Sequence, residues 1–234
     1  MNTPEYSNKS IAVLGAGESG EAAANLLHDL GAMITVLDTA EENKLRKRID
    51  ALGQRGIRVL AGLAAENDQG RYDLAVLSPG IDPSVPLVQR FLEQRVNMIG
   101  ELELAYEMCQ CPIVAITGTN GKTTTTQLIE LMLNECGVKT VAAGNIGPAF
   151  SARVRQSEDL DVMTLEVSSF QLETIRRFRP AIAVWLNFAP DHLDRYRSME
   201  EYYAAKLRVF ENQTADVDPS GTDYPTQVGI LDPG

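Results

Sequence analysis

The stretch Ile113–Thr124, Ile-Val-Ala-Ile-Thr-Gly-Thr-Asn-Gly-Lys-Thr-Thr, decides the fold of the second half of this 234-residue chain. Its first five residues are apolar or β-branched and predict a strand, and the glycines that follow predict a turn into a helix. Such a turn places unpaired backbone amides and the positive end of a helix dipole where an anion can bind. We therefore predict that residues 118–124 bind the phosphates of a nucleoside triphosphate.

The residue types within this loop fit that role. Lys122 is expected to reach the terminal phosphates, and the hydroxyl group of Thr123 is expected to ligate magnesium. The common phosphate loop has a glycine five residues before its second glycine, whereas this chain has Ile116 there, so the loop is a shortened variant. The alternative is a glycine-rich turn with a surface lysine. The predicted nucleotide-binding residues are Gly118, Thr119, Asn120, Gly121, Lys122, Thr123 and Thr124.

Strand and helix patterns alternate on both sides of this loop, as in parallel sheets covered by helices. Further strands are predicted near 11–14, 34–37, 74–77, 96–99, 138–142, 162–167 and 181–186, and helices over about 41–52, 85–95, 122–135 and 199–211. Another helix follows the first strand and stops at Gly31. Ser198 and Glu201 have the spacing of a capping box. The fold class is therefore α/β: a Rossmann-like N-terminal domain over 1–110, then a P-loop ATPase-type domain over 111–212, with an irregular tail over 213–234.

A second glycine motif, Gly15-Ala-Gly17-Glu-Ser-Gly20, follows the first predicted strand. With Asp38 at the end of the next strand it matches the dinucleotide-binding fingerprint. Taken alone the motif indicates NAD, but it also suits other nucleotides. A tight strand-to-helix turn with no ligand favours glycine too.

Three residues of the second half carry side chains suited to catalysis. Glu166 ends a predicted strand and is placed to bind magnesium, although it could also be a solvated acid. His192 lies in a loop after a strand, between Asp191 and Asp194, where ligands collect in open α/β sheets, which favours a metal or substrate role over the structural role usual for a lone histidine. Lys206 shares an apolar helix face with Tyr202. It either reaches past that face to solvent or is a buried amine with a lowered pKa.

The composition excludes several classes of protein. A net charge of −11 argues against a nucleic-acid partner. The polar N-terminus lacks a signal peptide, and no apolar run is long enough to cross a membrane. The three cysteines have no zinc or redox spacing. We expect a soluble, cytoplasmic protein with reduced thiols.

Several motifs together resemble the Mur ligases of peptidoglycan synthesis. Those motifs are Gly118–Thr124, Gly144–Gly147, Glu166–Glu173, Asp191–Tyr196 and Tyr203–Arg208, with Leu37–Thr39, Ser78–Ile81 and Gly100–Leu104 in the first half. The string Ser168–Leu172 is similar to that of the member that adds D-glutamate. The resemblance runs from about residue 9 to residue 212, and it identifies the second domain as a Mur ligase central domain.

The resemblance implies an activity and its cofactors, ATP and Mg²⁺. ATP would phosphorylate the carboxylate of UDP-N-acetylmuramoyl-L-alanine, and the amine of D-glutamate would displace phosphate to form an amide. The implied catalytic residues are Lys122, His192 and Lys206. The implied metal-binding residues are Thr123, Glu166, His192 and Lys206, the last as a carbamate. The implied residues for the UDP-substrate, in place of NAD, are Gly17, Glu18, Ser19, Asp38, Thr39, Ser78, Pro79, Gly80, Asn145 and Ser168.

The family has a longer ATPase domain and a third domain, neither of which is recognisable in this sequence. We therefore expect an N-terminal portion of a ligase that binds its small-molecule substrates but has negligible turnover alone. We also expect the chain to be a monomer. A non-catalytic nucleotide-binding module is the main alternative. An NAD oxidoreductase is a third, and it leaves the loop at 118–124 unexplained.

Overall fold

The computed structural model describes residues 6–213 and 229–230 of the chain. The chain forms two compact units. One comprises Met1–Met108 and Ala149–Arg155, and the other comprises Cys109–Pro148 and Gln156–Gly234. Among the described residues, no helix has the length and apolar character needed to cross a membrane.

The first unit is built on a five-stranded parallel sheet. Its strands are β1 (Ser10–Leu14), β2 (Met33–Asp38), β3 (Arg58–Ala61), β4 (Leu74–Leu77) and β5 (Met98–Gly100), in the spatial order β3-β2-β1-β4-β5. The helices that follow these strands are α1 (Glu18–Asp29), α2 (Glu42–Gln54), α3 (Leu63–Glu66), α4 (Pro86–Glu93) and α5 (Glu101–Met108). The order reverses direction at β1, so the turns after β1 and β4 lie side by side, where open α/β sheets bind ligands.

The second unit contains another parallel sheet. Its strands are β6 (Ile113–Thr117), β7 (Thr140–Gly144), β8 (Val162–Glu166), β9 (Ile182–Trp185) and β10 (Gly229–Ile230), in the order β10-β9-β6-β8-β7. Its helices are α6 (Lys122–Glu135), α8 (Ser169–Leu172) and α9 (Met199–Leu207), and α7 (Phe150–Arg153) lies between β7 and β8 in the chain. Strand β6 is buried along its whole length, as its unbroken apolar sequence predicts.

Each strand and helix predicted from the sequence is present, with ends shifted by a few residues, and the α/β fold class is confirmed. The helix expected over 199–211 ends at Leu207 and continues as a 3-10 turn, Arg208–Phe210. Ser198 caps α9 by accepting from the Glu201 amide, but the Glu201 carboxylate accepts from the Arg197 amide. The Glu201 carboxylate is thus bonded to the Arg197 amide in place of the reciprocal capping-box bond to the Ser198 amide.

The tail expected to be irregular over 213–234 differs in one place. Gly229 and Ile230 form the short strand β10, which pairs in parallel with Val184 and Trp185 of β9. An edge strand offers unpaired backbone groups to any passing segment, which explains why this dipeptide adds there. The rest of the predicted tail, residues 214–228 and 231–234, lies outside the described residues.

The free edge of β7 is covered by side chains from α6. Asn134 accepts from the Thr140 amide at 3.2 Å and donates to the Thr140 carbonyl oxygen at 3.1 Å. The Glu130 carboxylate accepts from the Ala142 amide at 2.7 Å. These bonds satisfy edge groups that could otherwise pair with another strand. They also fix α6 against the strand that leads to Asn145.

Residues 149–155 were placed by the sequence in the second domain, but they pack with the first unit. Glu101, which is 1% exposed, accepts hydrogen bonds from the Ser151 amide at 2.7 Å and the Ser151 hydroxyl group at 2.6 Å. Phe150 is fully buried beside this contact. Burying this aromatic ring and satisfying the carboxylate explain the placement of α7. The domain limits 1–110 and 111–212 stay a prediction.

Candidate functional site

The loop between β6 and α6 has the geometry of an anion-binding turn. Gly121 is the N-cap residue of α6, with a φ angle of 79° in the left-handed region that favours glycine. No side chain caps the helix there, so the first amides of α6 have neither an intrahelical acceptor nor a side-chain cap. Together with the dipole of a 14-residue helix, these amides form a site suited to phosphate groups.

Glu166 lies beside this loop, at the end of the neighbouring strand β8, and is 3% exposed. One carboxylate oxygen accepts a hydrogen bond from the Thr123 hydroxyl group at 2.7 Å. The other accepts from the side-chain amide of Asn145 at 2.8 Å. The structure thus brings together Thr123, Asn145 and Glu166, which the sequence had placed on three separate elements.

The same three residues offer the hard oxygen ligands that magnesium prefers. Among the residues that the structure describes, no three His, Cys, Asp or Glu side chains converge on one point. Magnesium bound to phosphates needs only one or two protein ligands, since water and phosphate oxygens complete its shell. The donor set of Thr123 and Glu166 therefore fits magnesium that arrives with a nucleotide.

Two lysine side chains converge on the backbone of the loop. Lys122 donates to the Thr119 carbonyl oxygen at 2.9 Å, and Lys206 donates to the Gly118 carbonyl oxygen at 2.8 Å. Lys206 is 2% exposed, so its ammonium does not reach solvent. Burial, reinforced by the positive charge of Lys122 and opposed by Asp191, lowers the Lys206 pKa to about 7. Lys206 is thus a buried, partly neutral amine beside the loop at 118–124.

His192 lies on the outer side of the same region, with a side chain 42% exposed. Its φ angle of 53° is unusual for a residue with a side chain. The imidazole packs between Phe170, at 4.9 Å between ring centroids, and Tyr202, at 5.9 Å. Its Nε2 atom is 3.4 Å from a carboxylate oxygen of Asp191. Tyr202 also lies beneath the Lys206 ammonium, 4.6 Å from ring centroid to Nζ, so both predicted residues contact one aromatic ring.

The glycine motif of the first unit forms a tight turn after β1. The Asp38 carboxylate accepts from the Ala16 amide at 2.7 Å and from the Ala40 amide at 2.8 Å. The buried Ser78 hydroxyl group donates to the Gly15 carbonyl oxygen at 3.3 Å. Asp38 and Ser78, which the sequence predicts to contact the UDP-substrate, therefore also stabilise the turn. Gly20 lets α1 approach, since a Cβ atom there would lie 1.9 Å from the Gly15 carbonyl oxygen.

The other predicted UDP-substrate residues fall into two places. Gly17, Glu18, Thr39 and Gly80 are exposed around the turn of the first unit, and Ser19 and Pro79 are partly exposed beside them. Asn145 and Ser168 belong to the second unit. Ser168 caps α8 in a reciprocal capping box with Gln171, which the Ser-x-x-Gln spacing could have revealed.

Asn187 forms hydrogen bonds to the loop at 118–124 that its position in the sequence did not predict. Asn187, two residues beyond β9, accepts from the Thr119 and Asn120 amides and donates to the Asn120 carbonyl oxygen. The sequence contained only its place after a strand, and no spacing rule links residue 187 to residue 119. Only the β6–β9 pairing brings these residues together.

Two family models of known proteins match this chain. The model for the Mur ligase middle domain matches residues 116–217, and the model for the MurD-like N-terminal domain of Mur ligases matches residues 9–100. The chain belongs to the Mur ligase family. This membership replaces the NAD interpretation of the glycine motif, since both halves match Mur ligase models.

Curated Mur ligase relatives are similar over most of this chain. The chain is 45% identical over 205 residues to the UDP-N-acetylmuramoylalanine–D-glutamate ligase of Koribacter versatilis, covering 88% of the chain and 45% of the relative. It is 42% identical over 212 residues to the ligase of the same name from Alkaliphilus metalliredigens, covering 90% and 47%. The chain thus spans about half the length of these relatives.

Solved structures of Mur ligases share the fold. A UDP-N-acetylmuramate:L-alanyl-gamma-D-glutamyl-meso-diaminopimelate ligase from Neisseria meningitides has a TM-score of 0.59 at 20% identity, over 90% of this chain and 70% of that one. The UDP-N-acetylmuramate-alanine ligase from Thermotoga maritima has a TM-score of 0.54 at 21% identity, over 88% and 47%. At these identities the likeness establishes the fold alone.

Proposed function

We propose that this chain is the nucleotide-binding portion of an ATP-dependent amide ligase that joins D-glutamate to UDP-N-acetylmuramoyl-L-alanine in the cytoplasm. The observation that carries the proposal is the convergence of Thr123, Glu166 and buried Lys206 on the loop at 118–124. The names of the relatives from Koribacter and Alkaliphilus support the choice of substrates.

The first chemical step is phosphoryl transfer to the substrate carboxylate. The uncapped first amides of α6 and the ammonium of Lys122 would bind the phosphates and stabilise the charge that develops on them. Thr123 and Glu166 would hold magnesium, which neutralises phosphate charge. Asn145 donates to Glu166 and would fix the orientation of its carboxylate.

In this proposal Lys206, converted to a carbamate, would serve as a further metal ligand. A lysine with a pKa near 7 exposes a free electron pair at neutral pH. Its nitrogen would attack the carbon of CO₂ and lose one proton, giving an anionic carbamate. This change would replace a buried amine by an anionic oxygen ligand, with His192 as the second protein group.

Gly17, Glu18, Ser19, Thr39, Pro79 and Gly80 are proposed to contact the UDP-substrate, together with Asp38, Ser78, Asn145 and Ser168. The turn after β1 supports this role, because its exposed positions surround the N-terminus of a 12-residue helix, α1. That helix has no side-chain cap at Gly17, so its first amides are available to a diphosphate. A monomer remains the prediction for the assembly.

Isothermal titration calorimetry on residues 1–234 tests the binding part of the proposal. MgATP and the UDP-sugar are both expected to bind, and Lys122→Ala is expected to weaken MgATP alone. A chain that binds NADH and neither of the other ligands would overturn the proposal.

Turnover is measured separately, because the chain spans about half the length of its relatives. Phosphate release is followed with MgATP, D-glutamate and UDP-N-acetylmuramoyl-L-alanine present, and the same mixture without D-glutamate is the control. Binding of both ligands with negligible phosphate release supports a portion that needs further residues for catalysis. A second candidate, a non-catalytic nucleotide-binding module, is favoured if adding the remaining half of a relative as a separate chain restores no ligation.

A further inference from the structure

The side chain of Asn187 forms hydrogen bonds to two consecutive residues of the loop at 118–124. Asn187 follows β9 and Glu166 ends β8, so the two residues lie on opposite sides of β6. Its side-chain oxygen accepts from the Thr119 amide at 3.2 Å and from the Asn120 amide at 2.9 Å. Its side-chain nitrogen donates to the Asn120 carbonyl oxygen at 3.0 Å. Every polar atom of this amide side chain therefore bonds to the loop.

The backbone of Asn187 is itself fixed. Pairing between β6 and β9 continues past the strands, since Leu186 donates to the Thr117 carbonyl oxygen at 2.9 Å and Thr119 donates to the Asn187 carbonyl oxygen at 3.2 Å. The buried Trp185 indole also donates to that carbonyl oxygen, at 2.9 Å. Asn187 thus extends from a rigid element, which is what a residue needs to position a flexible loop.

These bonds divide the loop amides into two groups. The amides of Thr119 and Asn120 are occupied by Asn187, whereas those that open α6 after Gly121 have no side-chain cap. A free loop could turn any of these amides toward an anion or toward itself. With Asn187 in place, the Thr119 and Asn120 amides are occupied, and the uncapped amides at the start of α6 stay available to an anion.

We infer that Asn187 is a positioning residue for nucleotide binding, which fixes Thr119 and Asn120 so that the start of α6 meets the phosphates. The inference rests on the proposed function for its ligand, a nucleoside triphosphate. It adds a residue that contacts the loop and not the ligand. Because Asn187 acts on the phosphate site, its effect is independent of the base and sugar of the nucleotide.

The test compares the chain with Asn187→Ala and with a matched control, Asn212→Ala. Asn212 also makes two side-chain bonds to backbone carbonyl oxygens, those of Arg176 and Phe178, in the same unit. Calorimetric titrations use MgATP and magnesium tripolyphosphate. Losing two to three hydrogen bonds at Asn187 is expected to weaken both ligands by the same factor, about 10- to 100-fold. Asn212→Ala is expected to bind both as the unsubstituted chain does.

A second measurement needs no nucleotide. Amide hydrogen exchange by NMR is expected to show protection at Asn120, lost in Asn187→Ala and kept in Asn212→Ala. Thr119 is expected to stay protected in both variants, because its amide also donates to the Asn187 backbone carbonyl oxygen. Rapid exchange of the Asn120 amide in the unsubstituted chain, or affinities in Asn187→Ala equal to those of the unsubstituted chain, would overturn the inference. A chain that binds neither ligand would overturn the proposed function, and the exchange measurement would then decide alone whether Asn187 fixes the loop.

Discussion

The side-chain nitrogen of Lys206 donates a hydrogen bond to the carbonyl oxygen of Gly118 at 2.8 Å, across 88 residues of sequence. The bond joins a helix of the C-terminal part of the chain to the first residue of the phosphate loop. The acceptor in this hydrogen bond is a neutral carbonyl oxygen and not a carboxylate. A buried amine with one neutral acceptor is stable mainly in its uncharged form.

The stability of the second unit should therefore depend on pH through Lys206. Burial lowers its pKa from 10.5 to about 7, with Lys122 adding to the shift and Asp191 opposing it. Between these values the unfolded chain binds more protons than the folded one, so stability rises with pH from about 7 to about 10.5.

Lys206→Met should remove this dependence. We expect the variant to be more stable than the unsubstituted chain below pH 7, by about 1.4 kcal/mol for each unit of pKa shift, and the difference should vanish above the ordinary lysine pKa. The free energy of unfolding of each protein is measured at several pH values by urea unfolding in CO₂-free buffer. The signal is the fluorescence of Trp185, the single tryptophan. An equal pH dependence in both proteins would contradict the burial argument.

Glu101 should give the opposite dependence in the first unit. Burial raises the pKa of its carboxyl group above 4.5, although both Ser151 hydrogen bonds oppose the shift. The folded chain then binds more protons than the unfolded one above the ordinary carboxyl pKa, so stability falls as pH rises through the folded pKa.

Glu101→Gln keeps an oxygen acceptor for Ser151 and carries no charge. Its stability at pH 7 should exceed that of the unsubstituted chain, and the two should converge below pH 4.5. Glu101→Leu should instead destabilise by roughly 1–3 kcal/mol, because the buried Ser151 donors lose their acceptor. Hydrogen exchange of β1 and α7, followed by mass spectrometry, gives the stability of the first unit in each variant. A Glu101→Leu variant as stable as Glu101→Gln would refute the contribution of the Glu101–Ser151 hydrogen bonds.

Two glycines within helices of the first unit form a matched pair. A Cβ atom at Gly20 of α1 would lie 1.9 Å from the Gly15 carbonyl oxygen, whereas one at Gly53 of α2 would meet nothing within 4 Å. Gly20→Ala should destabilise the unit by roughly 1–3 kcal/mol or more through overpacking. Gly53→Ala should stabilise it by up to about 1 kcal/mol, because alanine loses less backbone entropy in a helix. Thermal unfolding followed by circular dichroism compares them, and equal effects would show that the contact at Gly20 relaxes without cost.

Local patterns in the sequence predicted most of this fold because each carried its own physical signal. The unbroken apolar run before Gly118 predicted the buried strand β6, and the Gly-Lys-Thr sequence predicted the start of α6. Strand β3 was missed because it has only four residues, Arg58–Ala61. It is also only partly buried, so it lacks the apolar run of a central strand. Helix α5 was missed because Glu101 and Glu103, which interrupt its apolar face, are both buried.

The arrangement of the site was harder to predict than its members. Glu166 was selected because a carboxylate at a strand end is a ligand position, and the structure places it at the loop. Its bond to Asn145 depends on the order of β6, β8 and β7 in the sheet, which residue spacing does not encode. The burial of Lys206 was likewise open, since an apolar stripe on a helix fits both a buried and a solvent-reaching lysine.

The hydrogen bond between Thr123 and Glu166 leads to a last prediction, on the magnesium dependence of ATP binding. The Thr123 hydroxyl group donates to the carboxylate at 2.7 Å, and both oxygens are suited to one hard cation. Thr123→Val keeps the shape of the side chain and removes that oxygen. We expect it to bind ATP without magnesium as before but to lose most of the gain in affinity that magnesium gives.

Thr126→Val is the matched control, since its hydroxyl group on the same helix bonds to the Lys122 carbonyl oxygen and not to Glu166. Titration of each variant with ATP in magnesium and in chelator gives the ratio of the two affinities. Thr123→Ser should restore the ratio, because serine returns the oxygen, and Glu166→Gln should reduce it at least as far as Thr123→Val. A Thr123→Val ratio equal to that of Thr126→Val would place magnesium elsewhere, because the hydroxyl group that bonds to Glu166 would then contribute nothing to the cation.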